Sequence, residues 1–186
     1  SEQFAEEFAG SGQSIDNVLS SNSSLPYTAA PALYTYLIDT TTINGVTQIK
    51  GAPEYILDSG GMLKQEMNRV QRGGHYELAF SYASNINDKW LYGVTVGVPF
   101  IVYSNKSTFT ESDATGDTAN GFDKFTYTDD FSTNGVGLNS KLGVIYRPKE
   151  YIRLGFTLHT PSFMSLTDSR TTTLTTSLER PVQTLT

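Results

Sequence analysis

The sequence predicts an all-β chain: an antiparallel section of a transmembrane β-barrel, preceded by a loop-like region that carries short helices. Three observations predict it. Apolar and small polar residues alternate with period 2 from residue 75 onward. The connections between the alternating runs are short at 85–88 and 147–150 and about thirty residues long at 104–134. The chain is rich in aromatics (12%) and in Gly (16 residues), and only 17% of it is charged.

Composition narrows the alternatives. The 186 residues hold 13 Lys plus Arg against 19 Asp plus Glu, a net charge of -6. With no Lys/Arg-rich run, this balance excludes a phosphate-backbone partner, so no nucleic acid is expected. Zero Cys removes disulfides, thiolate metal sites and cysteine nucleophiles together. No run reaches the 18 or so apolar residues of a spanning helix, and Ser1-Glu2-Gln3-Phe4 is no signal peptide. A β-barrel escapes that test, because its alternating strands barely move the mean hydropathy.

Residues 1–74 read as a loop-like region with short helices. Phe4, Ala5, Phe8 and Ala9 share one helical face. Ser14 is placed to cap a second helix containing Ile15, Val18 and Leu19, with Asp16 in its first turn. Ser20–Ser24 forms a polar break. The apolar run Ala29–Ile38, interrupted by Pro31, is a short buried helix or a packed loop. Met62, Leu63, Met67 and Val70 recur near helical spacing and end at Gly73-Gly74, which predicts a third short helix.

Residues 75–186 are the predicted barrel strands. Tyr76, Leu78, Phe80 and Tyr82 alternate with Glu77, Ala79, Ser81 and Ala83. After the turn at 85–88, Trp90, Tyr92, Val94, Val96, Val98 and Phe100 share one face, and Gly93, Thr95, Gly97 and Pro99 share the other. The polar stretch 104–134 is expected to be a long extracellular loop. Val136, Leu138, Leu142, Val144 and Tyr146 define a third strand, opposite Gly137, Asn139, Lys141 and Gly143. Ile152, Leu154, Phe156 and Leu158 define a fourth, opposite Arg153, Gly155, Thr157 and His159. The Thr-rich stretch Thr167–Thr176 is a candidate fifth.

In a soluble β-sandwich the polar face meets water and carries charge. Here the polar faces are Gly, Ala, Ser and Thr with isolated Glu77, Lys141, Arg153 and His159, the composition of a barrel lumen. The ten residue steps from Trp90 to Phe100, tilted by about 40°, climb roughly 25 Å, the height of an outer-membrane apolar band. A soluble β-barrel or sandwich stays open as the alternative on pattern alone. Four or five strands cannot close a membrane barrel, since bacterial examples begin at eight. Open edges in hydrocarbon leave backbone groups unpaired. The chain, which begins without Met, is therefore expected to be an interior section of a longer one, with the rest of that barrel as its partner.

The run from Gly135 to Phe163 resembles the FadL/TodX family of outer-membrane transporters for long-chain fatty acids and other hydrophobic molecules. The likeness rests on a strand, a tight turn, Ile152-Arg153-Leu154-Gly155 and then Thr160-Pro161-Ser162. The hairpin from Ile86 to Pro99 is similar to the family's hairpins, and Leu33-Tyr34-Thr35-Tyr36-Leu37-Ile38-Asp39 looks like a loop segment of some members. The resemblance covers residues 75–168 well and 1–74 loosely. It implies a barrel of fourteen strands with an N-terminal hatch, both largely outside this stretch, and passive uptake through a pocket in the lumen and a gap in the wall. In that picture Ala29–Ile38 and Met62–Val70, with Leu33, Tyr36, Met62 and Met67, cap the extracellular end as a greasy capture surface or merely seal it. Lys141, Arg153 and His159 face the lumen, to meet a ligand carboxylate or neighbouring acids. Gly93, Gly97 and Pro99 mark a strand kink, or only small lumen-facing positions.

Catalytic signals are missing. His75 and His159 have no serine elbow or nearby carboxylate in sequence, and no phosphate-binding glycine loop is present. Glu111, Asp113, Asp117, Asp123, Asp129 and Asp130 crowd the predicted long loop, with a spacing that matches no EF-hand. Neither an enzyme, a metal nor a cofactor is expected. Three functions remain: a transporter of hydrophobic small molecules in the Gram-negative outer membrane, in contact with its lipid; a non-transporting barrel that serves secretion or surface proteins through its loops; and a soluble β-protein that binds hydrophobic ligands.

Overall fold

The computed structural model describes residues 1–20, 25–43 and 46–179; of the expected polar break, 21–24 lie outside the described residues. In chain order the elements are α1 (Glu2–Ser11), α2 (Ile15–Val18), α3 (Ala29–Tyr34), β1 (Ile38–Ile43), β2 (Val46–Gly51), α4 (Ala52–Asp58), β3 (Leu63–Ile86), β4 (Trp90–Asp113), β5 (Lys124–Lys149), β6 (Ile152–His159) and β7 (Phe163–Ser177). The fold is mostly antiparallel sheet with a few short helices. Among the described residues the large sheet is open: β3, β4, β5 and β6 pair in sequence order, and β7 also pairs with β5.

The chain divides into two compact units that interleave in sequence: residues 1–70, 106–130 and 171–186 in one, and 71–105 with 131–170 in the other. The first has a conventional apolar core. Ala5 and Phe8 of α1, Val18 of α2, Ala29, Ala30, Ala32 and Leu33 of α3, and Ile56 of α4 are buried there with Leu37, Phe122 and Phe125. Local signals set several helix ends, while α4 was not anticipated from the sequence. Ser14 accepts the Asn17 N–H at 3.3 Å and caps α2, and Gly12 ends α1 in the left-handed region at φ 63°. The run from Ala29 becomes a helix through Tyr34, its Pro31 in the first turn where no N–H is needed.

The predicted helix over Met62–Val70 is instead the start of β3. Lys64 Nζ lies 3.0 Å from Glu66 Oε2, a contact between residues two apart that a strand face allows and a helix does not. The spacing of Met62, Leu63, Met67 and Val70 is helical by coincidence; cross-strand pairing decides, with Gln65 Nε2 donating to Glu111 Oε2 at 2.6 Å.

The predicted long loop at 104–134 is likewise mostly strand: β4 runs on to Asp113 and β5 begins at Lys124. Cross-strand Thr pairs hold this extension, Thr108 with Thr128 at 3.5 Å and Thr110 with Thr126 at 3.2 Å. The connection is residues 114–123. There burial pushes the Asp113 carboxyl up, but hydrogen bonds from the Thr115 N–H, the Thr115 hydroxyl and the Asn120 amide outweigh it and hold the group below its ordinary 3.8. A depressed carboxylate stabilises the fold above its unfolded pKa, and that contribution disappears as pH falls through the folded value. The stability gap between the wild type and Asp113→Asn is therefore expected to shrink as a urea titration is repeated from neutral pH to below 3.8.

The second unit is built differently. Its large apolar side chains are exposed: Tyr76, Leu78, Phe80 and Tyr82 on β3, Trp90, Tyr92 and Val96 on β4, Val136, Leu138, Leu142 and Val144 on β5, and Leu154, Phe156 and Leu158 on β6. Each set recurs at every second residue, so each falls on one face of its strand. Rings stack across strands at two levels, Tyr76 on Phe100 at 5.2 Å and Trp90 on Tyr146 at 4.2 Å. No helix among the described residues is long and apolar enough to cross a membrane.

The last strand is broken once. β6 pairs with β5 through Lys141↔His159, Thr160 N–H donates to the Ser140 carbonyl at 2.9 Å, and the Thr160 hydroxyl accepts the Ser140 N–H at 2.9 Å. Pro161 cannot donate, so the ladder lapses at 160–162 and β7 resumes on β5 beside Gly137. Gly93, Gly97 and Pro99, marked in the sequence as a strand kink or as small lumen-facing positions, all lie inside β4.

Candidate functional site

Two cavities and one polar bridge are the features with chemical content. In the second unit, Glu77 of β3 reaches past β4 to β5. Asn139 Nδ2 donates to Glu77 Oε2 at 3.1 Å and to Ser162 Oγ at 3.1 Å, and Lys141 Nζ donates to Glu77 Oε1 at 3.2 Å. Asn139 is buried, and its Oδ1 has no hydrogen-bond partner. The bridge exists because β4 puts Gly97 beneath it. A Cβ there would press on Asn139 Oδ1 and lie 2.8 Å from Glu77 Oε1. Gly97→Ala is therefore expected to displace Glu77 and leave the Asn139 amide underpaired, at about 1–2 kcal/mol, readable as a lower urea midpoint. Lys141→Met, which spares the Asn139 contacts, is expected to lose less.

The second-unit cavity, about 720 Å³, lies over a row of small residues, Ala83 of β3, Gly93 of β4, Gly143 of β5 and Gly155 of β6, with Leu91 and Ile145 beside them. These residues have no side chain long enough to fill the concavity, and that leaves it open. The first-unit cavity, about 570 Å³, is lined by Phe4, Leu63, Met67, Phe109, Phe125 and Tyr127, with Gln65, Arg69 and the carboxylates of Glu2, Glu54, Glu111 and Asp129. Both fall within the roughly 300–1,000 Å³ of small-molecule sites. Glu111 is deeply buried, 4% exposed, and accepts a hydrogen bond from the Gln65 amide.

The structure places the sequence-predicted site residues unevenly. Lys141 and His159 sit opposite each other across β5 and β6, Lys141 already paired with Glu77; Arg153 is exposed on β6. Met67 lines the first-unit cavity, and Met62 is exposed just before β3. Leu33 is buried in the helical core and lines neither cavity, so its expected part in a capture surface is corrected: α3 turns it inward. Tyr36 is exposed, with a left-handed φ of 55°. Gly93 lines the second-unit cavity, Gly97 underlies the bridge and Pro99 is buried. Missed were Gln65, Phe109 and Phe125, which lay in stretches read as helix and loop, and Glu111 was noted only as one of six loop acids. The signal was there in the alternation of Phe109 with Glu111 and of Phe125 with Tyr127, diluted by Thr. No metal-holding group of three or more His, Asp or Glu occurs among the described residues.

No protein-family model and no curated protein matches the chain.

Proposed function

We propose that this chain forms part of the wall of a Gram-negative outer-membrane β-barrel that passes hydrophobic small molecules, long-chain fatty acids or other hydrocarbons, by diffusion. The observation that carries the reading is the continuous exposed apolar face of β3, β4, β5 and β6 in the second unit. Soluble proteins rarely leave an apolar patch of more than a few hundred Å² uncovered, whereas lipid is its natural solvent. The aromatic stacks at Tyr76–Phe100 and Trp90–Tyr146 support it, because such rings prefer the two membrane–water levels. The glycine-floored cavity supports passage rather than a sealed wall. The resemblance of residues 75–168 to FadL/TodX agrees, and it supplies the transport step that the exposed face alone does not.

Closure of the sheet falls to further strands, since unpaired edges in hydrocarbon cost several kcal/mol per group. The test is mass spectrometry of the organic extract from detergent-purified full-length protein, against an unrelated barrel prepared identically. A stoichiometric, enriched hydrophobic compound is the expected result; an extract indistinguishable from the control sinks the transport reading.

A further inference from the structure

From the cations at the short-turn end of the second unit we infer a lipid headgroup site: Lys149, with Lys89 and Arg147, holds the phosphate of an anionic phospholipid whose acyl chains lie along the apolar face of β4, β5 and β6. This rests on the reading that this face meets lipid, and it names the lipid chemistry that one end of the face selects.

The turns set the geometry. Asn87 and Asp88 both have left-handed φ, 52° and 54°, and the Lys89 N–H donates to the Ile86 carbonyl at 3.1 Å, the tight two-residue hairpin that matches the twist of its strands. The Arg147 N–H donates to the Lys89 carbonyl at 2.8 Å, which ties this turn to the end of β5, where Glu150 and Tyr151 lead the chain into β6. Between the two turns lies a hollow of about 330 Å³, lined by Lys89, Arg147 and Lys149 against Asp88 and Glu150. Asp88 is already engaged, accepting from the Asn85 amide at 2.7 Å. In a chain of net charge -6, this end keeps an excess of cations.

A bulge aims one of those cations at the apolar face. Tyr146 pairs with Leu154, but Lys149, three residues further along β5, pairs with Ile152, only two residues back along β6. Paired residues share a face, so the extra residue puts Lys149 on the face of Tyr146, Ile152 and Leu154, where strict alternation would have put it on the other. It stands just beyond the Trp90–Tyr146 stack, with Nζ 5.6 Å from the centre of the exposed Tyr151 ring. A lysine at that level lays its stem on apolar surface and carries its ammonium to the phosphates. Short turns of outer-membrane barrels face the periplasm, so the lipid at this end is phospholipid.

Trp90 is the one Trp of this sequence and reports on the lipid beside it. Full-length protein is reconstituted in phosphatidylcholine with rising fractions of dibrominated phosphatidylglycerol, or with dibrominated phosphatidylcholine as the quencher; subtracting the signal of Trp90→Phe isolates Trp90. The expected result is a preference of about fivefold for phosphatidylglycerol, cut to less than about twofold by Lys149→Gln. Equal quenching by both lipids, or a preference that folded Lys149→Gln leaves unchanged, overturns the site and leaves the lipid-facing reading standing. If Lys149→Gln does not fold, Lys89→Gln is judged by the same criterion. Quenching of Trp90 by neither lipid overturns both. Loss of the preference when inorganic phosphate replaces chloride at constant ionic strength assigns the hollow to free phosphate and overturns the lipid assignment.

Discussion

Phe80→Arg is expected to lower the stability of the protein in lipid by about 2–4 kcal/mol, while Ala79→Arg, one residue earlier on the same strand, changes it by less than about 1 kcal/mol. Phe80 is 68% exposed on the apolar face of β3, between the levels marked by the Tyr76–Phe100 and Trp90–Tyr146 stacks. If this face meets lipid as proposed, a guanidinium at that depth has to drag water into hydrocarbon or snorkel across half the membrane. Ala79 is also exposed, yet it points to the face shared with Glu77 and Ser81, where Ser81 Oγ meets Thr95 Oγ1 at 2.9 Å. An arginine there meets polar partners. Urea titrations of both variants in lipid vesicles read the difference; equal losses, or none, contradict the assignment of faces.

Gly73→Ala is the second large effect, expected to cost about 3 kcal/mol or more. Gly73 has φ 147°, a conformation essentially reserved for glycine. A Cβ at this point would run into the Val102 carbonyl and lie 2.8 Å from Tyr103 Cα. Both obstacles are backbone of the neighbouring strand, so no rotamer change relieves them. Relief requires β3 and β4 to part where Gln71 Nε2 donates to Tyr103 Oη at 3.1 Å. The variant is expected to fold with a lower urea midpoint and faster amide exchange at 71–75 and 101–105. Gly74→Ala is the control: its φ is not in the left-handed region, and the crowding atoms belong to the Tyr76 ring, which can swing aside.

Where the sequence was legible and where it was not follows from how each segment is stabilised. Residues 76–101 and 135–159 read correctly because each strand has one face of large apolar side chains, a period-2 signal nothing local imitates. Ser14 read correctly because a cap is local; Ala29–Ile38, left open between a short helix and a packed loop, is helical through Tyr34. Residues 62–70 and 104–134 did not, since their strand character comes from pairing with residues dozens of positions away. Gln65 with Glu111 and Thr108 with Thr128 are such pairs. With neither face strongly apolar, composition suggested helix and loop. The site inherited that blindness. Lys141 was found because it stood isolated among small residues, but its pairing with Glu77 across Gly97 depends on strand order, which no single strand reveals. Glu111 was seen as one acid among six in an expected loop, and its burial beside a cavity shared with Phe4, Leu63 and Phe125 depends on residues far from it in sequence.

The central claim is that one face of the sheet in the second unit meets lipid and the other meets an aqueous lumen. Because this stretch has no Cys, single cysteines placed in turn at residues 76–82 can carry a nitroxide label. Electron paramagnetic resonance of the full-length protein in bilayers then compares collisions with oxygen, which partitions into hydrocarbon, against a water-soluble nickel chelate. The account predicts a period of two, with oxygen dominant at 76, 78, 80 and 82 and nickel dominant at 77, 79 and 81. Uniform access by nickel along the whole run would contradict it and return the chain to the soluble β-proteins.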